Sequence, residues 1–259
     1  MTSTSQPRSL ALVLLAFLAV VTLPFAASAN HSWNGYHWAR TRNPFTVPLG
    51  DNLSPSWKPY LTTISSDWSK STVLDTTIVA GRSTSSRCSA TSGRVEVCNG
   101  NYGQNGWLGL ASIRTSGSHI TQGTVRVNDT YFAMAKYNNA TEKQHVLCQE
   151  VGHTFGLDHQ DESGISLNTC MDYYHNTSNA DTQSTAPNQH DYEELVTIYS
   201  HLDSTTTIGA TPATGASATV ATPAEWGRLM RTSSNGRASI YVREFAGGTR
   251  IFTFVNWAK

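Results

Sequence analysis

The spacing of apolar residues predicts three helices in the middle of the chain. The first is capped by Ser54 and reaches Trp68, the second covers residues 143–155 after the polar cap 138–141, and the third covers residues 188–202. The apolar positions at helical spacing are Trp57, Leu61, Ile64 and Trp68, then Val146, Leu147, Val151 and Phe155, and finally Tyr192, Leu195, Ile198 and Tyr199.

Runs rich in β-branched residues predict strands around these helices. They cover residues 45–49, 76–80, 107–113 and 120–127. Pro48 lies within the first run, and because proline donates no hydrogen bond to a neighbouring strand, this run is expected at the edge of a sheet. Between the second and third runs the chain is rich in Gly, Ser and Asn, which predicts a loop.

The N-terminal residues 1–29 have the pattern of a cleaved export signal. Arg8 precedes an apolar run that ends in the small residues 27–29. A membrane anchor is the competing interpretation, but Pro24 interrupts the run. The mature chain is therefore expected to begin near Asn30, and we expect a secreted, extracellular protein.

Residues 204–223 are almost all small or polar and predict a linker. This linker would separate a first domain, residues 30–203, from a final piece, residues 224–259, predicted as a three-stranded meander. The strands of this piece are expected at 228–231, 238–245 and 249–257. A sheet this short is marginal alone, so we expect it to dock on the first domain; the alternative is that it holds a substrate.

Charge and cysteine content limit the partners and the compartment. The 18 basic residues balance the 18 acidic ones, which indicates neither nucleic acid nor an anionic membrane surface as a partner. After signal cleavage we expect a soluble monomer without a membrane segment. The four cysteines predict two disulfides with three possible pairings, of which proximity favours Cys88–Cys98 and Cys148–Cys170.

Residues 149–159, with the sequence QEVGHTFGLDH, carry the candidate chemistry. Gln149 and His153 lie one turn apart on one face of the second predicted helix, so both can reach one metal ion. Gly156 ends that helix and lets the chain turn back, which brings His159 to the same ion. Glu150 lies beside the ligands, in position to accept a proton from water. Three protein ligands with one open position are typical of a catalytic Zn²⁺ site.

At these positions the chain resembles the metzincin zinc peptidases, whose motif H-E-x-x-H-x-x-G-x-x-H is followed by a methionine-containing turn. Cys170-Met171-Asp172-Tyr173 is the candidate turn, in the M-x-Y form seen in astacins and serralysins. The resemblance covers about residues 45–202 and implies an α+β zincin fold: a twisted mixed sheet, an active-site helix and a C-terminal helix. It also implies that Met171 lies beneath the zinc and that Tyr173 binds the metal or stabilises the oxyanion.

Gln149 stands where this motif has its first histidine. The amide oxygen of glutamine reaches the same coordination point as the far nitrogen of histidine, but it is a weaker zinc donor. We therefore expect zinc to be held less tightly, with its Lewis acidity retained or even increased. His145 lies about 12 Å from His153 along the helix, too far to share one ion, and is expected to be a surface or cap residue. The remaining histidines lack ligand spacing and are expected to be surface or hydrogen-bonded residues: His31, His37, His119, His175, His190 and His201.

The sequence thus predicts a secreted zinc endopeptidase that acts on extracellular proteins or peptides. The zinc ligands would be Gln149, His153 and His159, and the catalytic residues would be Glu150 and Tyr173. The alternative is a binding protein on the same fold, weak or inactive because Gln149 binds zinc poorly. A structural or adhesion protein that uses the C-terminal piece is a third possibility, but it leaves the motif spacing unexplained.

Overall fold

The computed structural model describes residues 1–2, 30–210 and 222–259, and it organises the chain around one mixed sheet flanked by helices. Most of the predicted signal, residues 3–29, and part of the predicted linker, residues 211–221, lie outside these ranges. The strands are β1 (His37–Trp38), β2 (Phe45–Asn52), β3 (Leu74–Ala80), β4 (Val95–Gly100), β5 (Trp107–Ser116), β6 (His119–Asn128), β7 (Arg228–Thr232), β8 (Ala238–Glu244) and β9 (Thr249–Trp257). The helices are α1 (Lys58–Trp68), α2 (Asp129–Phe132), α3 (Ala140–His153) and α4 (Gln189–Ile198).

The sheet joins a parallel half to an antiparallel half. Among the described residues its order is β3-β2-β4-β6-β5-β9-β8-β7, with β1 paired to the start of β6. Strands β3, β2, β4 and β6 pair in parallel, in that order across the sheet. Strand β5 pairs antiparallel with β6 and with β9, and β9, β8 and β7 continue the antiparallel pairing. This mixed sheet with few helices is compatible with the zincin-like fold that the sequence resemblance implies. Within the described ranges, no helix combines the length and the apolar character needed to cross a membrane.

The expectation that the proline-containing strand lies at a sheet edge is wrong, because β2 lies between β3 and β4. Its partner β3 pairs along residues 45–51, but β4 begins to pair only at Leu49. Pro48 therefore precedes the second ladder, where its missing N–H leaves no hydrogen bond unmade.

The segment predicted as a loop contains a strand, β4. Its polar Glu96 is fully buried, where it pairs with Arg94 at 2.9 Å and accepts a hydrogen bond from Asn52 at 2.7 Å. The neighbouring disulfide Cys88–Cys98 is present as favoured, and so is Cys148–Cys170. The apolar and polar residues of β4 alternate only from Val95 to Val97, which is too short a run to indicate a strand among the Gly, Ser and Asn residues around it.

The helices form where their apolar spacing predicts, but their ends differ. Helix α1 begins at Lys58 instead of after Ser54, with a proline in its first turn, and Ser54 donates its backbone N–H to Asn99. Asn139 caps α3 as its sequence suggests, by accepting from the Glu142 amide. The regular hydrogen bonding of α3 ends at His153, and α4 ends at Ile198, each before the predicted terminus.

The C-terminal strands do not stand beside the first domain as a separate appendage. Strand β9 pairs with β5 along nearly its whole length, from Trp107 opposite Trp257 to Ser116 opposite Thr249. The start of the predicted linker is also ordered against the fold, since Thr207 donates its N–H to the carbonyl of Ala39. The three predicted C-terminal strands therefore continue the sheet that carries the first domain.

Candidate active site

Helix α3 presents two of the predicted metal ligands on its buried face. Gln149 and His153 are one turn apart, and both are almost completely inaccessible to solvent. Nδ1 of His153 lies 2.9 Å from the carbonyl oxygen of Leu157, so Nδ1 carries the proton and Nε2 keeps the lone pair. That tautomer is the one in which Nε2 can bind a metal.

The turn after α3 brings His159 back to His153. Gly156 has a positive φ of 93°, and a β-carbon there would clash with the carbonyl oxygen of Tyr36. The backbone N–H of Asp158 donates to the carbonyl of His31 at 2.6 Å, which fixes the returning chain. The ring centroids of His153 and His159 are 4.4 Å apart. The structure therefore brings His153 and His159 close together, as the sequence predicts.

The amide of Gln149 is held at both ends. Its Nε2 donates to the carbonyl oxygen of Asp172 at 2.6 Å. Because a carbonyl only accepts, this contact fixes the orientation of the amide and turns Oε1 away from Asp172. Oε1 accepts from Nδ2 of Asn256, on β9, at 2.8 Å. The oxygen that would bind zinc is thus occupied by a residue of the C-terminal strand.

Glu150 lies under strand β5 with its carboxylate fully enclosed. Neither carboxylate oxygen has a hydrogen-bond partner of normal geometry. A β-carbon at Gly109 would lie 2.6 Å from Oε1, so only glycine lets β5 pass this close. Burial raises the pKa of Glu150 well above its usual value, and the backbone of Ala111 offsets this only in part. A buried carboxyl group with a raised pKa and no partner is typical of a catalytic acid or base.

The methionine turn lies beneath α3. A β-carbon at Gly152 would be 2.5 Å from Sδ of Met171, so the sulfur packs directly against the helix backbone. The disulfide between Cys148 and Cys170 joins the helix to the same turn. Asp172 anchors the turn by accepting from the backbone of Leu167 and from Ser184, each at 2.8 Å. Met171 thus lies under the ligand helix, where the resemblance implies a floor for the metal.

Tyr173 contacts His159 instead of open solvent. Its hydroxyl oxygen lies 2.7 Å from Nδ1 and 2.6 Å from Nε2 of that ring. Burial raises the pKa of Tyr173 well above its usual value, and the charges of Glu162 and Asp158 add to this effect. The hydroxyl therefore stays protonated and can donate a hydrogen bond.

His145 is not the surface or cap residue that its sequence suggested. It is buried, with Nδ1 at 3.0 Å from Oδ1 of Asn176 and Nε2 at 3.1 Å from the carbonyl oxygen of Asp172. It shares the Asp172 carbonyl with Gln149 and so helps to hold the turn against α3. Its role is structural.

The C-terminal strands cover the whole site, which the sequence did not indicate. Phe254 of β9 stacks on His153, with centroids 4.3 Å apart and planes inclined by 9°. Asn256, two residues further along the same face of β9, binds Gln149. Arg231 of β7 donates to Asp158 at 2.6 Å, beside the third ligand residue. In the described conformation Gln149, His153 and His159 are therefore buried in contact with these strands or beside them.

Asp158, His159 and Glu162 form an acidic group that could itself hold a cation. Arg231 already provides a positive charge there, 2.6 Å from Asp158 and 3.0 Å from Glu162. Burial alone would raise the pKa of Asp158, but the hydrogen bond with His159 and the charge of Arg231 lower it well below its usual value. This group is therefore satisfied by an ion pair within the chain.

The donor set at the ligand face fits zinc. Burial lowers the pKa of His153 well below its usual value, with His159 contributing, and burial also lowers the pKa of His159. Both imidazoles are therefore neutral, which is the form that binds metals. Glu150 follows Gln149 on the same helix, and the oxygen of Gln149 is the third donor. Zn²⁺ accepts nitrogen and oxygen ligands of this kind.

Comparisons with known proteins add little to this geometry. No model of a protein family matches the sequence, and no curated protein matches it. Among solved structures, the chain is similar to the structure of myroilysin, with a TM-score of 0.38 and 11% sequence identity over 66% of this chain and 98% of that chain. A likeness of this strength carries no argument about function.

Proposed function

We propose that the protein is a secreted zinc-dependent endopeptidase whose active site is covered by its own C-terminal strands in the described conformation. The observation that carries this proposal is the carboxylate of Glu150, which is buried with no side-chain partner on the helix that also holds the buried, neutral imidazole of His153. A buried carboxylate without a partner lowers the stability of the folded protein. Its presence therefore indicates a functional role, since a structural carboxylate in the core would be paired.

Each residue of the site has a role that its contacts support. Gln149, His153 and His159 would hold Zn²⁺, which supplies Lewis acidity toward the carbonyl of a scissile peptide bond. Glu150, whose pKa burial raises, would take the proton of the attacking water and pass it to the leaving amine. The protonated hydroxyl of Tyr173 would donate a hydrogen bond to the oxyanion.

The pairing of β9 with β5 supports an extended polypeptide as the substrate class. An antiparallel strand lies along β5 and directs alternate side chains, Phe254 and Asn256, at His153 and Gln149. A substrate peptide would add to β5 by the same backbone hydrogen bonds once β9 is displaced. Displacement would also free the oxygen of Gln149 for zinc.

An engineered disulfide that holds β9 on β5 tests this proposal directly. Ser112 and Thr253 are paired across β5 and β9 with their hydroxyl oxygens 3.2 Å apart, so Ser112→Cys with Thr253→Cys can form a disulfide. We expect the oxidised double variant to cleave no casein, and the Thr253→Cys single variant to match wild type. Asn256→Ala, which loosens β9, should cleave faster than wild type.

The chemistry is tested in the same assay. Glu150→Gln should abolish cleavage in the Asn256→Ala background while zinc bound per chain is unchanged, and a chelator should abolish cleavage as well. Gln149→His should raise zinc affinity because imidazole is the better donor. If the Asn256→Ala variant binds zinc and still cleaves no casein, or if Glu150→Gln remains active, the proposal is wrong.

One observation favours a second function, a binding protein without metal. Both ends of the Gln149 amide are hydrogen-bonded, to Asp172 and to Asn256, so this position is satisfied without an ion. A zinc-free, inactive protein in both the wild-type and Asn256→Ala forms would support this second function.

A further inference from the structure

Three histidines with no ligand spacing in the sequence converge on one carboxylate. His37 is in β1, His119 is the first residue of β6, and His201 and Asp203 follow α4. Nε2 of each ring lies within 3.8 Å of Oδ1 of Asp203. None of these residues belongs to the candidate active site. We propose that His37, His119, His201 and Asp203 form a second zinc site, with a structural role.

The sheet topology brings two of these ligands together. Strand β1 pairs parallel with β6, and His37 lies directly opposite His119 in this ladder. Side chains opposite each other in a ladder project from the same face, and these two rings have centroids 5.1 Å apart. More than eighty residues separate them along the chain, so the sequence contains no ligand motif for this site.

The distances match the edges of a zinc tetrahedron. Bonds of about 2.0–2.1 Å from zinc to nitrogen and oxygen place tetrahedral ligand atoms about 3.3 Å apart. Nε2 of His37 lies 3.2 Å from Nε2 of His201 and 3.5 Å from Oδ1 of Asp203. Nε2 of His119 and Nε2 of His201 lie 3.1 and 3.8 Å from the same oxygen. The ligand atoms of His37, His119 and Asp203 all lie within 4.8 Å of one another. His201 already approaches His37 and Asp203, and its side chain would have to rotate toward His119 to become the fourth ligand.

The surrounding contacts orient the ligand atoms as a metal site requires. Nδ1 of His37 lies 2.7 Å from the carbonyl oxygen of Gly35, so Nδ1 carries the proton and Nε2 has the lone pair. The guanidinium of Arg40 binds Oδ2 of Asp203 at 2.9 Å and leaves Oδ1 to face the imidazoles. Hydrogen bonds behind the ligands of this kind fix their orientation in known zinc sites.

A cation resolves an unfavourable contact within the group. With its proton on Nδ1, His37 directs the lone pair of Nε2 toward the negative oxygen of Asp203. Three imidazoles and one carboxylate are a donor set for zinc and not for calcium or magnesium. Four protein ligands leave no open position, which is typical of a structural site.

The test uses variants that keep the fold. The side chains of His119 and His201 are 36% and 51% exposed, so replacing them removes ligands and little packing. We would measure zinc per chain by mass spectrometry, and the zinc-induced rise in Tm, in the full chain with His153→Ala and His159→Ala. This background removes the candidate active-site ligands. His190→Ala serves as the matched control, a histidine outside both groups.

We expect the background protein to retain about one zinc ion per chain with a zinc-dependent rise in Tm. Adding His119→Ala or His201→Ala should remove the zinc ion and the zinc-dependent rise in Tm, whereas adding His190→Ala should leave the zinc ion and the rise in Tm unchanged. In the otherwise wild-type chain, His119→Ala should lower the zinc content by about one ion. No zinc in the background protein, or zinc binding that survives His119→Ala and His201→Ala together, would overturn the second site. If the wild-type chain and the background protein each bind one zinc ion, the second site stands and the zinc site of the proposed function is wrong.

Discussion

The hydrogen bond from Asn256 to Gln149 sets zinc in competition with the C-terminal strand. Oε1 of Gln149 accepts from Nδ2 of Asn256 at 2.8 Å, and the same oxygen is the atom that would bind zinc. The other amide end is fixed by Asp172, so rotation of the amide cannot satisfy both partners. Replacing Asn256 with alanine should therefore change zinc affinity and metal-free stability in opposite directions.

The magnitudes follow from the burial of this bond. A typical hydrogen bond between neutral groups contributes about 0.5–1.5 kcal/mol net. In wild type, zinc must break the bond between Asn256 and Gln149 in order to bind, whereas in Asn256→Ala this bond is absent. The dissociation constant for zinc should fall by about two- to twelvefold. Without zinc, the variant leaves the oxygen of buried Gln149 without a partner, which should lower the free energy of unfolding by about 1–3 kcal/mol.

The assay is a zinc titration monitored by calorimetry, together with urea unfolding in chelator. His119→Ala with His201→Ala provides the background, so that only the candidate active site contributes. Thr253→Val is the matched control, because it removes a hydroxyl bonded to Ser112 in the same β5–β9 ladder at 3.2 Å, away from the ligands. It should lose stability and keep the wild-type zinc affinity. Zinc affinity that is unchanged or weakened in Asn256→Ala would refute the competition.

Three other predictions concern the framework of the site. Burial raises the pKa of Glu150 in the folded state, so in zinc-free protein its contribution to folding stability is present below its unfolded-state pKa and is lost as pH rises through its folded-state pKa. The free energy of unfolding of Glu150→Gln relative to wild type should therefore increase with pH in urea titrations. A difference that does not change with pH would contradict this. Gly152→Ala should destabilise by about 1–3 kcal/mol despite better helix propensity, since its β-carbon would be 2.5 Å from Sδ of Met171; Met171→Ala should recover part of this loss in the double variant. Replacing Cys148 and Cys170 by alanine should cost about 3 kcal/mol in the chain-entropy model, because their bridge spans 22 residues, and calorimetry that finds no loss would show that it carries no stability.

The parts of the fold that depend on local spacing could be predicted from the sequence. The apolar residues of α3 and the glycine that follows it determine where Gln149 and His153 point and where the chain turns toward His159. Both disulfides could be chosen by proximity because each links residues within one local region. These features need no knowledge of distant contacts.

Features that depend on strand neighbours could not be predicted in this way. The edge position expected from Pro48 was wrong because the register of β4 relative to β2, which no local pattern encodes, decides where proline is tolerated. His37 and His119 meet only because β1 pairs with β6. Asn256 looked like an ordinary polar residue of a strand, and its contact with Gln149 follows from the pairing of β9 with β5.

By pairing with β5, strand β9 prevents association between chains along the edge of β5, and it also occupies the position that a peptide substrate would take in the proposed function. Without it, the ten residues of β5 would present unpaired backbone groups at a sheet edge, which promotes association between chains. In the proposed function a peptide substrate would need those same groups, yet it would have to compete with a strand of the same chain, for which pairing is intramolecular. A free peptide at micromolar concentration cannot displace such a strand at equal affinity. The proposed activity would therefore require that the chain be cut before β7, so that β9 can dissociate on dilution, or that contacts such as the stacking of Phe254 on His153 be weakened.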